Sequence, residues 1–99
     1  MRNHSLTGKQ TRYLRGIGHH LKPLVQIGKE GMSSGSIQNI LQCLEDHELI
    51  KIKLLETCPF DRKKAAVEIA AMTGSHVVQI IGRTILLYRR GETPEISLP

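Results

Sequence analysis

Apolar residues in this chain recur every three or four positions, then every two, then every three or four again. That alternation constrains the fold more than any other feature of the sequence. Ile37, Ile40, Leu41 and Leu44 follow the i, i+3, i+4, i+7 spacing of one helix face. A few residues later Ile50, Ile52 and Leu54 alternate with Lys51 and Lys53, the period of a strand with one buried and one wet side. A chain of 99 residues has room for about one domain. Helices and strands must therefore share it, which predicts an α/β architecture.

The remaining segments extend the pattern. Residues 7–21 predict a first helix, with Leu6, Tyr13, Leu14, Ile17 and Leu21 on its inner side. Gly16 and Gly18 each weaken it by roughly 1 kcal/mol, and Pro23 ends it. Residues 24–27 form a short apolar strand, and Gly28-Lys29-Glu30-Gly31 a loop. Ser33 or Ser34 is the N-cap of the second helix, which runs to about residue 47 or 48. Residues 49–55 are the second strand. Asp61 caps a third helix over residues 62–73, with Ala66, Ile69, Ala70 and Thr73 inward and Gly74 at its end. Residues 76–81 and 84–89 are two strands joined by Gly82-Arg83, and a Gly in the first central position is the type II′ hairpin signal. The predicted order is α-β-α-β-α-β-β. This is an α/β two-layer sandwich with a mixed sheet of about four strands and helices on one face, because the Lys51/Lys53 side reads as wet. Residues 6–90 form the domain, with residues 1–5 and the Pro-containing residues 91–99 expected as flexible ends.

Fourteen Lys and Arg against nine Asp and Glu leave a net charge of +5, and the sequence pI is about 9.6. A domain this basic expects a polyanionic partner, nucleic acid before anionic membrane. Much of the charge lies on the first helix. Lys9, Arg12, Arg15, His19 and Lys22 are spaced 3, 3, 4 and 3, within an arc of about 140° opposite Leu14, Ile17 and Leu21. No acid precedes Glu30. Solvated helix faces usually mix signs, whereas a single-sign stripe repels itself and is relieved by phosphates. Without a polyanion the same stripe is only a solvated face. The G-x-x-G form of residues 28–31 clamps nucleic-acid backbone in KH domains, although an ordinary β-α turn also uses glycines. Lys29 adds a cation there, and the start of the next helix adds free N–H groups. Arg83 at the hairpin tip is a further candidate. The Lys51/Lys53 sheet side is expected to be exposed and secondary.

Other chemistries lack their residues. The aromatics are Tyr13, Phe60 and Tyr88 alone, too few for a row of stacked bases. Neither G-x-x-x-x-G-K-[ST] nor G-x-G-x-x-G occurs, so no nucleotide cofactor is expected. Cys43 and His47 stand at i, i+4 without further ligands, so no metal site is expected. Ser33, Ser34 and Ser36 have no G-x-S-x-G context, and no acid pair sits among apolar residues, so no enzyme is expected. No run of 18 apolar residues exists and the N-terminus has no signal-peptide character, which predicts a cytoplasmic protein with Cys43 and Cys58 reduced.

Four blocks together resemble the YhbY family of bacterial stand-alone CRM domains. These are Leu6-Thr7-Gly8-Lys9-Gln10 with Leu14-Arg15; Leu21-Lys22-Pro23 with Ile27-Gly28-Lys29-Glu30-Gly31; His47-Glu48-Leu49-Ile50-Lys51; and Val78-Gln79-Ile80-Ile81-Gly82-Arg83 with Leu87-Tyr88-Arg89. The resemblance spans about residues 5–90. It implies a fold similar to the C-terminal domain of initiation factor three. It also implies RNA binding and association with precursors of the large ribosomal subunit; plant relatives act in intron splicing. The family's RNA-binding loop would fall on Gly28, Lys29, Glu30 and Gly31, and its basic helix on Lys9, Arg12, Arg15 and Lys22. Met32-Ser33-Ser34-Gly35-Ser36 departs from the more acidic stretch expected there. The partner expected is ribosomal RNA, bound by a monomer. The alternative is a protein-interaction module of the translation machinery whose charges only keep it hydrated. The residues alone do not separate RNA from double-stranded DNA.

Overall fold

The computed structural model describes residues 5–99; residues 1–4 of the expected flexible N-terminus lie outside them. The elements follow the predicted order: α1 (Gly8–Gly18), β1 (Val25–Ile27), α2 (Ser34–His47), β2 (Leu49–Leu54), α3 (Arg62–Thr73), β3 (His76–Ile81) and β4 (Thr84–Tyr88). The strands form one open mixed sheet in the order β1-β2-β4-β3. β1 runs parallel to β2, and α2 makes the connection that a parallel pair requires. α3 then carries the chain to the far edge, and β4 returns between β2 and β3, antiparallel to both.

Local chemistry sets the boundaries. The Thr7 hydroxyl accepts from the Gln10 backbone N–H while the Gln10 side chain accepts from the Thr7 N–H, a capping box that starts α1. Ser33 caps α2 through the Ser36 N–H, and the Asp61 carboxylate caps α3 through Lys63 and Lys64. Gly82 has φ +57°, and Arg83 is not among the described positive-φ residues, as a type II′ turn requires. α1 ends earlier than expected. Beyond Gly18 the chain tightens, with His20 N–H donating to Ile17 O and Leu21 N–H to Gly18 O, so Lys22 lies past the helix.

The two sheet faces are covered differently. On one, Ile50, Ile52, Leu54, Ile85 and Leu87 meet Ile37, Ile40 and Leu44 of α2 and Ala65, Ala66 and Ile69 of α3. Each fully buried Leu or Ile there contributes roughly 1.5–3 kcal/mol. The second face corrects the sequence-based expectation that helices cover one side only. Leu14 of α1 is buried with Leu49, Val78, Leu86 and Tyr88, and Leu6, Ile17 and Leu21 pack around them. Leu49 shares the face of Lys51 and Lys53, so that face is apolar at one end and basic at the other. A register shift between Val77 and Gln79 makes Val78 the extra residue of β3, and it packs in this second cluster. Tyr13, expected inward, is 45% exposed.

Residues 91–99 form no helix or strand, yet they have partners, which the sequence pattern did not anticipate. Ile96 and Leu98 pack on the second core, and the Gln10 side chain donates to Pro99 O. The buried Glu48 carboxylate accepts the backbone N–H groups of Gly91 (2.7 Å), Glu95 (3.1 Å) and Ile96 (2.9 Å). Among the described residues no helix is long and apolar enough to cross a membrane.

Candidate nucleic-acid interface

The structure turns the α1 stripe outward. Lys9, Arg12, Arg15, His19 and Lys22 are all exposed, while Leu14 and Gly18 face the sheet. A Cβ at Gly18 would lie 2.5 Å from Leu86 Cδ2, so the missing side chain lets α1 lie close on β4. None of the five basic residues is in an ion pair; the salt bridge among the described residues is Arg89–Glu45 at 3.2 Å. Arg15 and His19, in and just past the last helical turn, suit the negative end of the helix dipole, whereas Lys9 in the first turn opposes it. The stripe is thus a charged surface without an internal counter-ion.

The 28–31 loop is a tight turn in which Gly31 N–H donates to Gly28 O at 3.0 Å. Gly31 has φ +65°, and a Cβ there would sit 2.8 Å from Phe60 Cε2. Its glycine requirement therefore comes from the backbone and from Phe60. Lys29 and Glu30 are exposed on the turn, while Gly31 is buried. The hairpin tip lies at the same sheet end: Leu55 N–H donates to Ile27 O beside the loop, and Leu54 N–H to Arg83 O. The Arg83 guanidinium donates to Leu55 O at 3.4 Å, and Arg62 to Gly82 O at 3.2 Å. Lys29 and Arg83 are thus brought together at one end of the sheet. The α1 stripe lies apart from them, on the face opposite α2 and α3.

Between the end of α1 and the uncovered part of the sheet runs a groove of about 290 Å³. α1 and its tail end contribute His19 and Lys22; the sheet contributes Lys51, Gln79, Thr84 and Leu86. Gln79 and Thr84 did not stand out in the sequence. Their signal was register: Gln79 pairs with Leu86 and Thr84 with Lys53, which needs the strand order. A larger cavity, about 520 Å³, lies between the end of α2 and residues 89–95. Glu45, Asp46, Glu48, Glu92 and Glu95 line it, so it repels phosphate despite Arg89 and Arg90.

Titratable groups elsewhere show ordinary burial effects. Burial, with Asp46 adding to it, pushes the Cys43 thiol up, and Cys43 donates to Asn39 Oδ1. Burial lowers His76, whose ring stacks on Tyr88 at 6.4 Å. Burial raises Tyr88, Glu48 raises it further, and Arg90 opposes them; its buried hydroxyl has no hydrogen-bond partner. Cys43 and Cys58 are free thiols, and among the described residues no three His, Cys, Asp or Glu side chains gather where a metal would sit.

Residues 6–89 match the CRS1/YhbY (CRM) domain. The chain is 43% identical over 95 residues to the probable RNA-binding protein YqeI of Bacillus subtilis, covering 95% of this chain and 99% of that one. It is 36% identical over 95 residues to an RNA-binding protein of Haemophilus influenzae, covering 96% of each. The solution structure of the hypothetical protein SAV1595 from Staphylococcus aureus is similar at TM-score 0.81 and 44% identity, covering 96% of this chain and 100% of that one.

Proposed function

Because the chain belongs to the CRS1/YhbY (CRM) domain family, we propose that it binds RNA through the sugar–phosphate backbone, with α1 as the main contact and the 28–31 loop as a second. The observation that carries this is the α1 surface, on which Lys9, Arg12, Arg15 and His19 are exposed, with Lys22 just beyond, and no acid answers them. Phosphate contacts of this kind position a protein on a folded RNA without reading bases one by one. Lys29 supplies a point charge on the loop, and Arg83, partly engaged with Leu55 O, a weaker one. Gly28, Glu30 and Gly31 shape the loop that presents Lys29. The resemblance to the YhbY family directs the proposal to ribosomal RNA in precursors of the large subunit. In this role the protein is a non-catalytic, cytoplasmic assembly factor acting as a monomer. Crosslinking the protein to RNA in cells and sequencing the bound RNA tests it. Large-subunit ribosomal RNA should dominate the crosslinked reads; a library without enriched ribosomal RNA would overturn the ribosomal assignment.

A further inference from the structure

The groove between the end of α1 and the open half of the sheet is more than a gap in packing. Its charged groups are all of one sign. Lys22 enters from the α1 side and Lys51 from β2, with Lys53 on the same sheet face as the strand partner of Thr84. Lys51 is half-buried, and neither it nor Lys22 has an acid partner among the described residues. Drawing a lysine part-way out of water without a counter-charge is unfavourable, and an anion seated in the groove reverses that.

The neutral groups narrow the choice of anion. The side chains of Gln79 and Thr84 make no hydrogen bond with protein among the described residues, and both face the groove. Gln79 pairs with Leu86 and Thr84 with Lys53, so they share the sheet face of Lys51 and Lys53. Beside them stands the exposed apolar side chain of Ile81, with buried Leu86 as the floor and no aromatic ring to stack a base. A strand of ribose and phosphate satisfies all three chemistries. Phosphates meet the lysines, the sugar lies against Ile81, and each 2′-hydroxyl, at once donor and acceptor, meets Gln79 or Thr84.

We propose that this groove holds one strand of RNA backbone and distinguishes RNA from DNA through Thr84 and Gln79, whose free polar groups meet the ribose 2′-hydroxyl beside Lys22 and Lys51. The inference rests on the RNA-binding function above and adds a third surface to it, beside the α1 stripe and separate from the 28–31 loop.

Oligouridylate 12-mers and their 2′-deoxy counterparts, titrated against the full chain, test it. Thr84→Val keeps the strand shape and removes the hydroxyl. It should weaken RNA binding roughly three- to tenfold and leave DNA binding unchanged. Lys51→Gln should weaken both and lower the salt slope by about 0.7. Arg12→Ala/Arg15→Ala should also weaken both while preserving the RNA-to-DNA ratio. Thermal melts confirm that each variant is folded, and Gln79→Ala is the replacement if Thr84→Val melts early. An unchanged RNA-to-DNA ratio in folded Thr84→Val and Gln79→Ala, with RNA still bound, overturns the groove assignment alone. A wild-type chain that binds neither oligonucleotide nor a ribosomal RNA transcript overturns it together with the RNA-binding function.

Discussion

Glu48 shows how much one residue can settle. It lies between the last residue of α2 and the first of β2, with no turn residue to reverse the chain. The reversal falls on Glu48 itself, at φ +64° and ψ −45°, a sparsely populated conformation outside the left-handed helical region that costs a side-chain-bearing residue about 1–3 kcal/mol. The carboxylate gained at that position holds three tail amides. The two effects can be separated. Glu48→Ala keeps the strained backbone and loses the carboxylate, and should cost about 2–4 kcal/mol in chemical denaturation. Glu48→Gly loses the same hydrogen bonds but relieves the backbone, so it should be the milder variant by about 1 kcal/mol. Equal losses would mean the backbone is unstrained. Tyr88 makes the opposite case. Its hydroxyl is buried without a partner, so Tyr88→Phe should leave the melting temperature unchanged or raise it. A marked fall would reveal a partner for the hydroxyl. Neither role was legible in the sequence, because both depend on partners that only the folded chain brings together.

At the scale of elements, caps and periods were readable because their causes are local. Ser33 and Asp61 cap where their side chains reach the next N–H groups, and Ile37, Ile40 and Leu44 face the sheet as their spacing requires, whereas Thr7, read as the first helical residue, is the cap of α1. The α1 placement was harder, because Lys51 and Lys53 suggested a wet face along all of β2. Leu49 lies in phase with those lysines, and Leu86 and Tyr88 extend its apolar patch across to β4. That patch forms only once β4 is known to pair with β2, a long-range fact. The 28–31 loop divides in the same way. Lys29 is exposed and its charge was legible; the reason for Gly31 depends on Phe60, which is distant in sequence. Gly31→Ala should therefore cost about 1–2 kcal/mol of stability through strain and contact with Phe60. Lys29→Ala should leave stability within about 0.5 kcal/mol and weaken RNA binding. Denaturation and RNA titration on the same two variants check this, and a destabilised Lys29→Ala would give the lysine a structural role.

For the molecule as a whole, the α/β order and the exposed basic helix followed from sequence, whereas strand order, the groove and the tail anchorage needed the folded chain. The covered faces hold the sheet together; the α1 stripe, the 28–31 loop and the groove remain available to a polyanion. The central claim is that the α1 stripe neutralises phosphates. The most direct measurement is the affinity of wild type and Arg12→Ala/Arg15→Ala for a large-subunit ribosomal RNA fragment across a series of salt concentrations. Loss of two phosphate contacts should weaken binding to any RNA alike and reduce the slope of log K against log salt by roughly 0.7–0.9 per contact, with the melting temperature almost unchanged. An unchanged affinity and slope in the folded double variant would contradict the account and leave the stripe a solvated helix face.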